Sequence, residues 1–180
     1  MGATTDSLSA ELFDNEIVDF SIDSRTVSEG ELFFALSQPD YERAGFNGTF
    51  ADAHDFIAQA FDKGAVAAVA RKERVAGDEK LEALGGRLLL VSDAIAALQT
   101  LARKVYQRWG RPVVGITGSA GKTTTKELTA HVLLKSGYRV LKSERNYNNG
   151  LGLPLSVFRR PPPDRCARLR QWRPYQMPER

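Results

Sequence analysis

The run Val113 to Thr117 leads without a break into Gly118-Ser119-Ala120-Gly121-Lys122-Thr123-Thr124, and an uninterrupted polar-apolar segment follows to Lys135. This order constrains the chain more than any other feature. The apolar run reads as a buried strand, the glycines as a tight turn, and the segment from about Lys122 to Lys135 as a helix that Ser136-Gly137 ends. Glycine at both ends of a four-residue turn lets backbone N–H groups approach an anion closely. A helix opening at that point adds its positive dipole end. A lysine and a threonine at the turn's exit supply an ammonium for β- and γ-phosphates and a hydroxyl for Mg²⁺. Gly118, Ser119, Ala120, Gly121, Lys122, Thr123 and Thr124 are therefore read as an ATP-binding loop, with Lys122 the catalytic cation and Thr123 the Mg²⁺ contact. The longer form of this motif has glycine six positions before the lysine. Here that position is Ile116, so the loop is the shorter Gly-x-x-Gly-Lys-Thr variant. A chance glycine turn is the bland alternative, and the flanking strand and helix argue against it.

Tyr138 to Leu141 reads as the next strand. Strand, helix, strand from residue 113 to 141 is a βαβ unit, which implies a parallel sheet. Upstream, short strands are expected at Phe20–Ile22, Glu31–Leu36, Val66–Ala70 and Leu88–Val91, with a helix at His54–Lys63 stopped by Gly64. Gln38 to Phe50 is polar and reads as a loop. Arg71 to Gly86 reads as surface helix or loop. Ser92 or Asp93 caps a longer helix whose apolar stripe is Ile95, Leu98, Leu101, Val105 and Trp109. The fold class is α/β. A small N-terminal α/β domain (1–91) is followed by a connecting helix (92–110) and by the start of a parallel-sheet ATP-binding domain (111–160).

Residues 161–180 differ in kind. Five of the eight prolines lie there, and from Arg159 to Arg180 there are seven arginines against two acids. The rest of the chain carries 18 basic and 20 acidic residues, so the net charge of +3 belongs to the tail. A nucleic-acid binder is not indicated, because its basic residues would lie on the folded body. The tail reads either as a disordered basic segment or as sequence out of frame with the domain before it. No apolar run approaches the roughly 20 residues of a membrane span, and Met1 to Leu12 has no signal-peptide pattern. The single cysteine, Cys166, allows no intrachain disulfide, and a reducing cytoplasm fits. Two histidines and one cysteine do not make an ordinary zinc site. His54 reads as packing or capping the start of its helix. Neither it nor His131 has a visible partner for acid–base work.

Two further constellations stay open on residues alone. Asn146-Tyr147-Asn148-Asn149-Gly150 follows a strand end, where open α/β sheets bind ligands, but asparagine and glycine also favour plain turns. Asp23-Ser24-Arg25 follows another strand. An arginine there could hold a pyrophosphate, and a solvated surface turn is the simpler reading.

Taken together, these motifs resemble one family. Thr117-Gly118-Ser119-Ala120-Gly121-Lys122-Thr123-Thr124-Thr125-Lys126-Glu127 and Asn146-x-Asn148-Asn149-x-x-Gly152-x-Pro154-Leu155 look like a Mur ligase, most of all the MurF type. Asp23-Ser24-Arg25-x-Val27-x-x-Gly30-x-Leu32-Phe33 and Asp52-x-His54-x-Phe56-Ile57-x-x-Ala60 agree. The resemblance covers about residues 17 to 160. It implies a cytoplasmic, monomeric, ATP- and Mg²⁺-dependent ligase of peptidoglycan-precursor synthesis, and through it a role in cell-wall biogenesis, cell shape and division. Such an enzyme joins D-Ala-D-Ala to UDP-MurNAc-tripeptide. By the family pattern Ser24 and Arg25 lie near the uridine diphosphate, and Asn148 and Asn149 near the junction of nucleotide and substrate. Family members are several hundred residues long. Their acidic metal ligand, metal-binding histidine, modified lysine and dipeptide-binding domain would follow residue 160. The expectation is thus a truncated chain, inactive as a ligase by itself, whose partial sheet leaves apolar faces uncovered. A frameshift is one route to it: with suitable codons, Arg168 to Arg173 read one base over gives Val-Phe-Asp-Asn-Gly-Ala, similar to the acidic strand expected next. A non-catalytic UDP-sugar-peptide binding module and a sister Mur or folylpolyglutamate-type ligase are the alternatives. A small kinase would need an acidic metal ligand and a lid downstream of the loop.

Overall fold

The computed structural model describes residues 17–143 and 150–158. The chain divides into two compact units, Met1–Leu101 and Ala102–Arg180. The 161–180 tail and residues 144–149 lie outside the described residues.

The first unit is built on a four-stranded parallel sheet in the order β1-β2-β3-β4: β1 Asp19–Ser21, β2 Glu31–Phe34, β3 Ala67–Arg71 and β4 Leu88–Val91. Phe20 pairs with Leu32, Phe33 with Ala68, and Val69 with Leu89. Parallel strands are covered on both faces, which is why β3 is buried along its whole length. Its small residues Ala68 and Ala70 leave room for Phe33, Ile57, Ala60, Val75, Leu81 and Leu88, which make up much of the core.

The crossovers are short. A 3₁₀ turn, Ala53–Phe56, runs into helix α2, Ile57–Asp62, before β3. Helices α3, Lys72–Val75, and α4, Glu79–Glu82, with a 3₁₀ turn at Gly85–Arg87, lead to β4. The expected helix over 54–63 is thus 3₁₀ in its first turn. Gly64, just past the end of α2, sits at φ +96°, and its carbonyl accepts the Gly30 N–H at 3.0 Å. A Cβ there would lie 2.9 Å from the Glu29 Cα, so two loops approach as closely as only glycine allows.

The polar segment expected to be a loop opens instead with helix α1, Gln38–Arg43. Ser37 caps it, with Pro39 in the first turn and Asp40 at the third helical position, which is start-signal chemistry that an apolar-period search passes over. Asp40 is fully buried. One carboxylate oxygen accepts from the Ser37 N–H at 2.8 Å and the Ser37 hydroxyl at 2.7 Å. The other accepts from Arg71 Nη1 at 3.3 Å and the Ala94 N–H at 3.1 Å. Arg71 ends β3 and is itself buried. Ala94 opens helix α5, Ala94–Trp109, where Asp93 accepts the Ala96 N–H at 2.9 Å and so acts as the cap. Ile95 and Leu98 of its stripe are buried.

In the second unit helix α6 spans Lys122–Lys135, as the sequence indicates, and α7 spans Gly152–Phe158. The runs 113–117 and 138–141 are not strands, and no sheet forms among the described residues of this unit. Their apolar residues suit a buried sheet, but a parallel strand is held by neighbouring ladders and cover on both faces. Val114 and Leu141 are exposed, as are Leu128 (61%) and Val132 (59%), one turn apart on α6. No helix among the described residues is long and apolar enough to cross a membrane.

Asp40→Ala leaves the buried Arg71 guanidinium with only the exposed Glu73 carboxylate, 3.4 Å from Nη2, and frees two backbone N–H groups. It should cost about 3 kcal/mol, read as a lowered denaturant midpoint for the first unit, whereas exposed Glu42→Ala should leave that midpoint nearly unchanged.

Candidate functional site

Each unit carries one group of residues with the chemistry of a site. In the second unit Gly118 and Gly121 take φ of +150° and +75°, values that side chains resist. Gly121 is the N-cap of α6, and its carbonyl accepts the Thr125 N–H at 2.9 Å. Lys122, Thr123 and Thr124 therefore occupy the first helical turn, where backbone N–H groups lack intrahelical partners. The Lys122 ammonium folds over the loop and donates to the carbonyl of Gly118 and, at 3.4 Å, to that of Ser119. Ser119, Ala120, Thr123 and Thr124 are exposed. An exposed loop with positive-φ glycines, a helix N-terminus and a cation over its mouth has the donor set that a polyphosphate requires.

Two lysines tie α6 to the segment that precedes the asparagine run. Lys126 donates to the Ser143 carbonyl at 2.8 Å, and Lys142 pairs with Glu127, whose carboxyl it holds below the usual range. Asn148 and Asn149 lie outside the described residues.

In the first unit the turn after β1 carries Asp23, Ser24 and Arg25. The Asp23 carboxylate takes Arg25 Nε at 2.9 Å and Nη2 at 2.7 Å, and also the Arg25 N–H at 3.0 Å. The guanidinium beside it holds the Asp23 carboxyl down at about 2. Arg25 is 82% exposed along its side chain. Ser24 is only 8% exposed, and its hydroxyl donates to Gln59 Oε1 at 3.0 Å. Arg25 thus faces solvent as a ligand-binding arginine must, while Ser24 is held inward by α2. Neither Gln59 nor Lys63, which donates to the carbonyls of Ser24 and Arg25, had any sequence signal as part of this turn.

His54 has a partner after all. Its Nδ1 lies 2.6 Å from Asp52, and its Nε2 accepts the Arg71 N–H at 2.9 Å. An accepting Nε2 places the proton on Nδ1 and makes the ring neutral. At 1% exposure it is a structural joint between the 3₁₀ turn and β3. Burial acts to raise the Asp52 carboxyl, but bonds from His54 and Arg74 outweigh it and hold the group below the usual range. Arg74 reaches Asp52, Asp55 and Asp78 at 2.9, 2.8 and 3.1 Å. His131 is exposed on α6.

Because Asp23 is depressed, its share of stability is present above the unfolded-state value near 4 and lost as pH falls through about 2. A carboxyl NMR titration should give a midpoint near that value, and Arg25→Met should return it toward 3.8.

Residues 116–164 match the Mur ligase middle domain. The chain is 39% identical over 147 residues to the UDP-N-acetylmuramoyl-tripeptide–D-alanyl-D-alanine ligase of Synechocystis, with 81% of this chain and 28% of the relative covered. It is 40% identical over 139 residues to the Bacillus subtilis ligase of the same name, covering 77% of this chain and 27% of that one. Among solved structures it is similar to the Thermotoga maritima MurF ligase in complex with ADP, at 34% identity and a TM-score of 0.60, over 84% of this chain and 30% of that one. The chain spans just over a quarter of the length of these curated relatives. The parallel α/β unit and the glycine loop at the start of a helix fit this similarity: residues 116–164 form a Mur ligase middle-domain segment, in a chain similar to ligases of the MurF type.

Proposed function

We propose that this chain carries the UDP-substrate unit and the ATP loop of an ATP-dependent ligase that joins D-Ala-D-Ala to UDP-MurNAc-tripeptide. The observation that carries the reading is the Gly118–Thr124 loop on the N-terminus of α6, with Lys122 over its carbonyls. In this reading backbone N–H groups of Gly118, Ser119, Ala120 and Gly121 cradle the phosphates, with Thr123 and Thr124 in the first helical turn. Lys122 exchanges its loop carbonyls for β- and γ-phosphate oxygens as charge shifts toward the leaving ADP.

Among the described residues no cluster of His, Cys, Asp or Glu could hold a metal ion. Mg²⁺ fits here through the Thr123 hydroxyl and the phosphates themselves, as hard oxygen ligands, and when bound it neutralises charge on those oxygens. The reaction proposed is transfer of the γ-phosphoryl group to the tripeptide carboxylate, releasing ADP. The D-Ala-D-Ala amine then attacks, loses a proton and expels phosphate. Arg25 receives the diphosphate of the UDP end, Ser24 shapes its turn, and Asn148 and Asn149 contact the substrate where it meets the nucleotide. The setting proposed is the cytoplasm, with the chain acting as a monomer in peptidoglycan-precursor synthesis.

A second reading is a UDP-sugar-peptide binding module without turnover, in which the exposed Arg25 of the turn after β1 is the working group. Titration of the 180-residue chain with Mg²⁺–ATP should show saturable binding. Lys122→Ala should weaken it at least about tenfold, since two charge-assisted contacts are lost, and unchanged affinity would contradict the loop's assignment. With UDP-MurNAc-tripeptide, ATP and D-Ala-D-Ala together, phosphate release at ligase rates would support the ligase reading, and binding without phosphate release the binding module. Full turnover would remove the binding-module reading.

A further inference from the structure

Charge at the turn after β1 does not come out positive from the turn's own residues. Asp23 and Arg25 face each other through two contacts, Nε to Oδ1 at 2.9 Å and Nη2 to Oδ2 at 2.7 Å, so the pair is neutral as a unit. The backbone donors of the turn are committed inward. The Arg25 N–H goes to the Asp23 side chain and the Thr26 N–H to the Asp23 carbonyl, both at 3.0 Å. The Ser24 hydroxyl has one proton, and Gln59 takes it. A diphosphate arriving here meets a carboxylate whose charge cancels the arginine, and no free backbone N–H of Arg25 or Thr26.

Lys63 changes that balance. It is the C-cap residue of α2, far along the chain from the turn, and its side chain returns to it. Its ammonium donates to the Ser24 carbonyl at 3.0 Å and the Arg25 carbonyl at 2.7 Å. Of its three N–H groups one remains, and the residue is exposed. The same charge acts on Asp23 through space. With Lys63 the cluster Asp23, Arg25, Lys63 carries a net charge of about +1, and without it about zero.

We propose that Lys63 is the second cation of an anion-binding turn and that, with Arg25, it receives the diphosphate of a UDP-linked substrate. This rests on the reading of the first unit as the UDP-substrate unit. Lys63 has two tasks in it: it clamps the carbonyls of the turn, so that they point at α2 rather than at the ligand, and it supplies the charge that makes the turn attractive to an anion. Gln59 does neither: its Oε1 accepts from the Ser24 hydroxyl and holds that side chain inward.

The two tasks separate by substitution. Lys63→Gln keeps N–H donors for the carbonyls and removes the charge. Lys63→Met removes both, and Lys63→Arg keeps both. Calorimetric titration of the full chain with UDP at low salt should show roughly a tenfold loss for Lys63→Gln and Lys63→Met and near-recovery for Lys63→Arg. The loss should narrow in high salt, where an exposed charge is screened. Melting temperatures of all three should stay close to that of the unsubstituted chain, because an exposed ammonium contributes little to stability. Lys63→Gln binding UDP like the unsubstituted chain would reduce Lys63 to a carbonyl clamp and overturn the proposal, while leaving the UDP reading in place. Absence of UDP binding by the unsubstituted chain would overturn that reading, and the proposal with it.

Discussion

A single buried carboxylate organises the C-terminal edge of the sheet. Asp40 has no exposed surface, and its two oxygens accept four donors from three places: the residue that caps α1, the last residue of β3 and the first of α5. An isolated charge cannot be buried at tolerable cost, and a buried ion pair by itself returns little net stability. What the arrangement gives is register. Arg71 can be buried at the end of β3 only where Asp40 meets it, and α5 can begin only where its first N–H completes the set. His54 adds a second joint to the same strand end by accepting the Arg71 N–H. The parallel sheet thus closes at the edge from which its loops emerge, which is the edge where open α/β sheets bind ligands.

The turn after β1 emerges from that edge too, and it follows the same logic at lower burial. Its hydrogen-bonding groups are satisfied from within or from α2, so little backbone is left for a ligand. In the proposed function, recognition there falls to side-chain charge. The glycine loop of the second unit is built the opposite way. Its positive-φ glycines and the helix N-terminus leave backbone N–H groups available, and Lys122 adds charge to an already receptive backbone.

The glycine loop and α6 were legible because their signals are local: glycine fixes the turn, and Ser136-Gly137 fixes the end. Strands β2, β3 and β4 were legible as short apolar runs. Helix α1 was not, since its start depends on Ser37, Pro39 and Asp40, while its residues show no apolar period. The partners of Asp40, His54 and Ser24 were not legible either. Arg71 is 31 residues from Asp40 and Gln59 is 35 from Ser24, and no spacing rule in one sequence joins them. The runs 113–117 and 138–141 show the converse error. Apolar character makes a strand only where other strands pair with it, and that condition is not written in the run itself.

Amide chemical-shift mapping on the isotope-labelled chain tests the central claim most directly, that one chain holds a UDP-linked substrate at one unit and ATP at the other. UDP-MurNAc-tripeptide should shift the amides of Ser24, Arg25 and Lys63, and Mg²⁺–ADP those of Gly118 to Thr124, each with saturation. Shifts scattered elsewhere, or none in either set at millimolar ligand, would contradict the account.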